Sequence, residues 1–495
     1  MKKTFTILLC VLMACTFLLS GCAKDDGKKE EISVIISEIG NNLDPVEANY
    51  SDVYTITRHI YDSILNCDKD FNIVPGVAES YETPDNMTIK LNIGEGYKFH
   101  NGEPMEIEDV VYSIERQKDM PVAATFSNGI ESVEAEGNVV TLHLTEPNSG
   151  IVSWLCQTVV VNKSYCEQVG DKFANEPVGT GPYKLVEFIP GEKAVLEAWE
   201  DYPFEKAKIK KITFKGIEEK SAQYMAVESG GSDFSPVSPE DIERAKANEK
   251  LNYVQLTGGN TNFLSMNTTK PPFDNVNVRR AMAYAYNKEG FAKLMPGASV
   301  IQSMTPKVFD VYYEAPEIPK YDLQKAKELL AAEGYNEDNP LTFEFTTYKE
   351  GDPTFPAFQA DLASIGVKME MKNLEFGVFL QNMMNKDFDM LGVGWTNTGN
   401  VLSALESYSS SSFGAENIAF YSNPKCDELY NRAKATVDKE ELKQISKEME
   451  EIAAHDCPFI PTYTLDYCYV CDKSITGVDY YPDGTFSFRN ASFVH

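Results

Sequence analysis

Continuous or alternating apolar stretches mark the first half of the chain, and helical spacing marks the second. Residues 32–37 (ISVIIS) are a short apolar run and predict a buried strand. Residues 87–93 and 139–144 alternate and predict half-buried strands. Residues 184–188 and 194–198 predict a hairpin turned at Pro190-Gly191. Residues 52–64 place Val53, Ile56, Ile60 and Ile64 on one helical face. Val278, Met282 and Ala285 mark another helix, capped by Asp274 or Asn275. Its Arg279 and Arg280 are expected in surface or lobe-bridging ion pairs. Ala326, Leu329 and Leu330 mark a helix that opens at Tyr321-Asp322 and stops at Gly334. Asn423-Pro424 caps and starts the next. Leu442, Ile445, Met449, Ile452 and Ala453 form the last long apolar face, which Pro458 ends. The serines at 409–412, followed by Phe413-Gly414, read as a mobile loop.

Composition changes this picture mainly at the amino terminus. Lys2 and Lys3 precede an apolar run over 4–19 that is too short and wrongly flanked for an ordinary membrane span. Leu19-Ser20-Gly21-Cys22 then matches the bacterial lipobox, with Cys22 as the lipidation site. Two acyl chains suffice for stable anchoring. Residues 1–21 are expected to be a removable signal and 22–31 a charged, lipidated tether. Removing 1–21 moves the formal charge from −30 to −32. That acidity argues against a nucleic-acid partner. No second long apolar run appears, and residues 32–495 exceed one compact domain, so two or three lobes are expected.

Seven cysteines follow Cys22, an odd number, so at least one stays unpaired in a monomer. Cys468 and Cys471 have Cys-x-x-Cys spacing. A strand there would point them to opposite faces, which disfavours a metal knuckle or a redox pair. Free structural thiols are expected. The five histidines lack ligand spacing, and there is no Gly-x-Ser-x-Gly elbow, His-Glu-x-x-His or Walker loop. Neither a catalytic site nor a metal or cofactor is expected.

The stretch EGYKFHNGEPMEIEDVVYSIER, residues 95–116, is the most specific motif. Asn101-Gly102 is a turn dipeptide, Glu106, Glu108 and Asp109 put negative charge at a helix start, and Val110, Val111 and Ile114 form an apolar face. Met105-Glu106 offers a weak cap, and His100 is expected to hydrogen-bond locally. Three further landmarks are Leu43-Asp44-Pro45, Gly179-Thr180-Gly181-Pro182-Tyr183 and NFLSMNTTKPPFDNVNVRRAMAYAYN over 262–287. Together they resemble the extracellular solute-binding proteins of family 5, the dipeptide, oligopeptide and nickel receptors of ABC importers.

The resemblance implies an α/β, two-lobed periplasmic-binding-protein fold of class II, of the large cluster-C type, with a hinge and an interlobe cleft. It implies a first lobe of 32–266 plus 464–495, with an inserted subdomain at about 47–178, and a second lobe of 267–463. A peptide ligand would lie as an added strand between Asn49-Tyr50-Ser51 and Gly394-Trp395-Thr396-Asn397-Thr398. Trp395 would wall the pocket. In peptide receptors of the family an Asp three residues after this Trp pairs with the ligand's amino terminus. Thr398 stands there, so Glu406 or Asp389 would have to substitute, or the ligand lacks a free amine. The implied function is capture of a short peptide or similar solute and its delivery to an ABC permease and ATPase complex. The chain would act as a monomer, lipid-anchored outside the bacterial cytoplasm. The alternatives are a peptide-pheromone-presenting signalling lipoprotein and a receptor for an oligosaccharide, opine or metal chelate.

Overall fold

The computed structural model describes residues 29–46, 51–69, 71–118, 127, 129–396 and 400–494. Cys22, Asn49, Tyr50, Asn397 and Thr398 lie outside them. Three sheets larger than a hairpin organise the described residues. The first has seven strands in the order Leu251–Leu256, Tyr467–Asp472, Phe234–Pro236, Glu31–Ile36, Lys211–Gly216, Lys193–Ala198 and Tyr183–Ile189. Its central strand, Glu31–Ile36, runs parallel to both neighbours. The second has six, in the order Ala298–Val300, Phe459–Leu465, Asn260–Met266, Met390–Thr396, Thr342–Thr347 and Lys368–Asn373. The third has four: Ala78–Asp85, Thr88–Ile93, Val139–Leu144 and Ile130–Glu136. With the helix Ile107–Lys118 it encloses a separate apolar core around Leu91, Phe99, Val110 and Leu142.

Sheet membership moves the lobe crossing expected after Met266. Asn260–Met266 pairs along its whole length with Met390–Thr396, and Phe459–Leu465 pairs with it on the other side. Both strands therefore belong to the second lobe, and the chain crosses at 257–259 and at Asp466. A strand buried between two partners satisfies its backbone there and nowhere else. The remaining helical expectations hold at the caps. The Asn275 side chain accepts from Asn277 N, the Asp322 side chain from Lys325 N and the Asn423 side chain from Lys425 N. The helix start in the long motif is better capped than Met105-Glu106 suggests, because the Asp109 carboxylate accepts from Glu106 N at 2.9 Å. Cys468 packs into one apolar cluster of the first lobe and Cys471 into another, on opposite faces of their strand.

Four local readings change. The helix expected over 52–64 is Ser51–Ile60. It stops because Gly181 N donates to Ile60 O at 2.8 Å and Ile64 N turns to Thr158 O. A Cβ on Gly179 would sit 2.2 Å from Ile60 O, so that close approach requires glycine. His100 is not locally bonded: its Nε2 donates to Gly181 O at 2.9 Å and its Nδ1 accepts from Gly179 N at 3.3 Å, locking two sequence landmarks together. Arg116 likewise reaches Asp44 with two bonds of 2.8 and 2.6 Å. Arg279 makes no ion pair among the described residues; it is buried and donates to the carbonyls of Phe273 and Asp456. The serine run is not a free loop, because Ser410 N and Oγ both donate to the Asp427 carboxylate, at 2.7 and 2.8 Å.

His100 and His59 make a pH prediction. Burial pushes His100 down to about 4 and His59 down to about 3. His59 is held neutral by donating to Thr55 O and accepting from Phe488 N. Each stays neutral in the folded protein but takes a proton in the unfolded chain below about pH 6.5. The stability each contributes is therefore present above that pH. It is lost as pH falls towards about 4 for His100 and about 3 for His59, at up to about 1.4 kcal/mol per pH unit per group. In NMR titration neither ring should protonate between about pH 8 and about pH 5. A midpoint near 6.5 for either would refute its burial as neutral imidazole.

Candidate functional site

The helix Ser51–Ile60 and the carboxy-terminal segment after Tyr467–Asp472 build the site. The helix projects Tyr54, Thr57 and Arg58 from one side, and the hairpin near the carboxy terminus brings Asp479, Tyr481 and Asp483 from the other. They line a cavity of about 340 Å³. Arg489 fixes this arrangement. Its guanidinium donates to Asp62 Oδ1 at 2.7 Å, to Tyr61 O at 2.7 Å and to Arg58 O at 2.9 Å. The last carbonyls of a helix have no partner within it, and here a side chain 431 residues away supplies one.

Arg58 is the least satisfied charge in this cavity. Its guanidinium lies flat on Tyr481, 3.9 Å from the ring centroid. Its Nε is buried without a hydrogen-bond partner. A buried donor left unpaired costs about 1–3 kcal/mol, so the geometry suits an acceptor from outside the chain. Opposite charge is at hand. One Asp483 oxygen is taken by Thr485 N and Oγ, and Asp479 accepts from Asn490. Burial, and then Asp483, pushes the Tyr54 hydroxyl up to about 12, so it remains a donor.

A second cavity of about 420 Å³ adjoins the first through Phe71, which lines both. It lies between the four-stranded unit and the second lobe. The two meet there: Phe71 stacks on Phe309 at 5.2 Å, Ser149 N donates to Lys434 O at 2.9 Å and Lys439 reaches Asn72 at 2.7 Å. The described residues thus form a cleft with a charged floor and a more apolar flank. Both volumes fall in the range of small-molecule sites, roughly 300–1,000 Å³.

Of the residues expected from the sequence, Ser51, Gly394, Trp395 and Thr396 are described. Ser51 opens the floor helix. Gly394, Trp395 and Thr396 end the strand Met390–Thr396 at the hinge, outside the lining of either cavity. Thr396, Asn260 and Asp483 stand near the Tyr467 hydroxyl across the hinge. Trp395 is half-buried, packs edge-on to Phe263 at 6.1 Å and leaves its Nε1 without a partner. A Cβ on Gly394 would lie 2.6 Å from Asn262 Oδ1 and 2.8 Å from Lys349 Nζ. The missing side chain lets Lys349 reach the strand, where burial pushes its amine down to about 8.

Of the two carboxylates expected to replace an Asp at position 398, Asp389 does not fit. It pairs with Lys270 at 2.9 Å and accepts from Glu344 N, at the far end of the Trp395 strand. Glu406 lies on the helix Val401–Glu406, near Tyr430 and Ser412, and burial raises its pKa. Burial, and then Glu406, raises Glu416 to about 7. Arg58, Tyr481 and Asp483 escape sequence reasoning. The Asp483-Gly484 turn marks their hairpin, but no local spacing connects it to a helix more than 400 residues earlier.

Comparison with known proteins agrees with this architecture. The chain is 27% identical over 481 residues to the glutathione-binding protein GsiB of Pectobacterium atrosepticum, covering 93% of this chain and 94% of that one. Its fold matches HbpA2 from Haemophilus parasuis with a TM-score of 0.84 at 23% identity, over 94% of this chain and 100% of the other. It also matches the ABC transporter-associated periplasmic binding protein DppA from Helicobacter pylori, solved with the peptide STSA. That TM-score is 0.76 at 24% identity, over 94% of this chain and 98% of the other. The sequence profile of the bacterial extracellular solute-binding proteins, family 5 Middle, matches residues 72–416. No described helix is long and apolar enough to cross a membrane. The chain belongs to the bacterial extracellular solute-binding proteins of family 5, which bind solutes and are not enzymes.

Proposed function

We propose that this protein is the lipid-anchored receptor of an ABC importer and that its cargo is a short zwitterionic peptide or peptide-like solute. The single observation that carries the cargo reading is Arg58, stacked on Tyr481 with a buried, unpartnered Nε, facing Asp479 and Asp483 across one cavity. A carboxylate would bond the guanidinium, and an ammonium would meet the aspartates. Both charges of a peptide are then compensated as they leave water, which a buried charge requires. Lys349 beside Gly394 offers a second cation to a longer or doubly acidic ligand. Glutathione-binding and peptide-bound relatives are consistent with such a cargo.

Calorimetry with glutathione and with di- to pentapeptides, each free, amidated at the carboxyl end or acetylated at the amine, tests the reading. Amidation and acetylation should each cost roughly 2–5 kcal/mol, the usual loss on truncating one member of a buried charge pair. Equal affinity for free and amidated ligands would remove Arg58 from the site. No heat from any of them would remove the peptide reading. The anchor is proposed at Cys22 from Leu19-Ser20-Gly21-Cys22. Mass spectrometry of the membrane-extracted amino-terminal peptide should find a diacylglyceryl group on that thiol, and an unmodified Cys22 there would refute it.

A further inference from the structure

Two thiols stand in the wall of the charged cavity. Cys67 ends the strand Leu65–Cys67, Cys156 follows the helix Gly150–Trp154, and both line the same space as Arg58. Both are partly exposed, whereas the other five cysteines of the described residues are buried. The backbone holds their two segments side by side: Leu65 N donates to Leu155 O at 3.1 Å, Ile64 N donates to Thr158 O at 2.8 Å, and Ser63 bridges Val159. The Cys156 thiol donates to Val152 O at 3.8 Å. Contact with Cys67, ahead of burial, pushes the Cys156 thiol well up. Cys156 thus keeps its proton and donates it to Val152 O.

We propose that Cys67 and Cys156 are a dithiol–disulfide couple built into the cavity wall and oxidised by small-molecule disulfides that enter the cavity. The argument has three parts. Thiols in one cavity wall, on two segments that backbone hydrogen bonds hold side by side, have only to close to the roughly 2.05 Å of a disulfide bond. An extracytoplasmic protein meets an environment in which disulfides form and persist. The cavity carries a free guanidinium and carboxylates at its other walls, so it admits zwitterionic disulfides such as oxidised glutathione or cystine. The step balances without another reactant. The Cys67 thiolate attacks one sulfur of the disulfide R–S–S–R, forming a Cys67–S–S–R bond and expelling RS⁻, which takes up the proton lost from Cys67. Cys156, losing its proton, then attacks the Cys67 sulfur, forms the Cys67–Cys156 bond and expels the second RS⁻, which takes up that proton. Two protein thiols are oxidised and one small disulfide is reduced to two thiols.

The mature protein is reduced, desalted, incubated with oxidised glutathione, alkylated and digested without reductant. The expected product is a peptide pair joined through Cys67 and Cys156, with two molecules of reduced glutathione released per chain and the five buried thiols alkylated. The Cys156→Ser variant should stop at the first step, with one glutathionyl group on Cys67. Alkylated Cys67 and Cys156 in the oxidised wild type would overturn the proposal. So would a Cys156→Ser adduct on any residue other than Cys67. The readout is covalent and needs no transported ligand, so failure of the peptide reading in calorimetry would leave this result to stand or fall separately.

Discussion

Replacing Arg489 with methionine is expected to cost about 3–5 kcal/mol of stability, the usual penalty for leaving a buried charge without its partner. The Asp62 side chain is 7% exposed. Arg489 supplies its ion pair and also bonds the carbonyls of Arg58 and Tyr61, so the substitution strands one carboxylate and two backbone acceptors. Methionine keeps the aliphatic stem, which separates lost charge from lost packing. The urea midpoint of the first lobe should fall, and adding Asp62→Asn should recover part of the loss by removing the unpaired charge. A loss below about 1 kcal/mol would show that solvent compensates Asp62 and that the clamp is a surface pair in energy.

Replacing Arg58 with leucine should weaken a carboxylate-bearing ligand by roughly 2–5 kcal/mol, or about 30- to several-thousand-fold. The side chain makes no ion pair among the described residues and its Nε has no partner there, so the folded state should lose little beyond the stacking on Tyr481. Calorimetry on the variant should show the loss for free peptides and little further loss on amidation, because charge and partner are then both gone. An amidation penalty unchanged in the variant would place the carboxylate elsewhere, with Lys349 the next candidate, since its amine is buried beside Gly394 and its nearest partner is the neutral Asn262.

Much of this protein was determined by local sequence. Helix caps at Asn275, Asp322 and Asn423 formed as read, because a cap needs only a side-chain oxygen two or three residues from an unpaired amide. Cys468 and Cys471 faced opposite ways because a strand alternates by geometry alone. The motif around His100 and the profile match identified the fold for the same reason: the residues that build its turns and helix starts carry short-range signals. Other properties were decided only by the tertiary structure. The crossing between lobes moved to 257–259, because the pairing of Asn260–Met266 depends on strands more than 100 residues away. His100 and Arg279 looked like local or surface groups, but each bonds a partner distant in sequence or a buried carbonyl. The charged floor combines Arg58 with Tyr481 and Asp483, and Cys67 with Cys156. None of these pairs has a spacing to recognise. A polar or sulfur side chain acquires its role when folding removes its water and chooses its neighbour, and for these residues the neighbour lies on a different part of the chain.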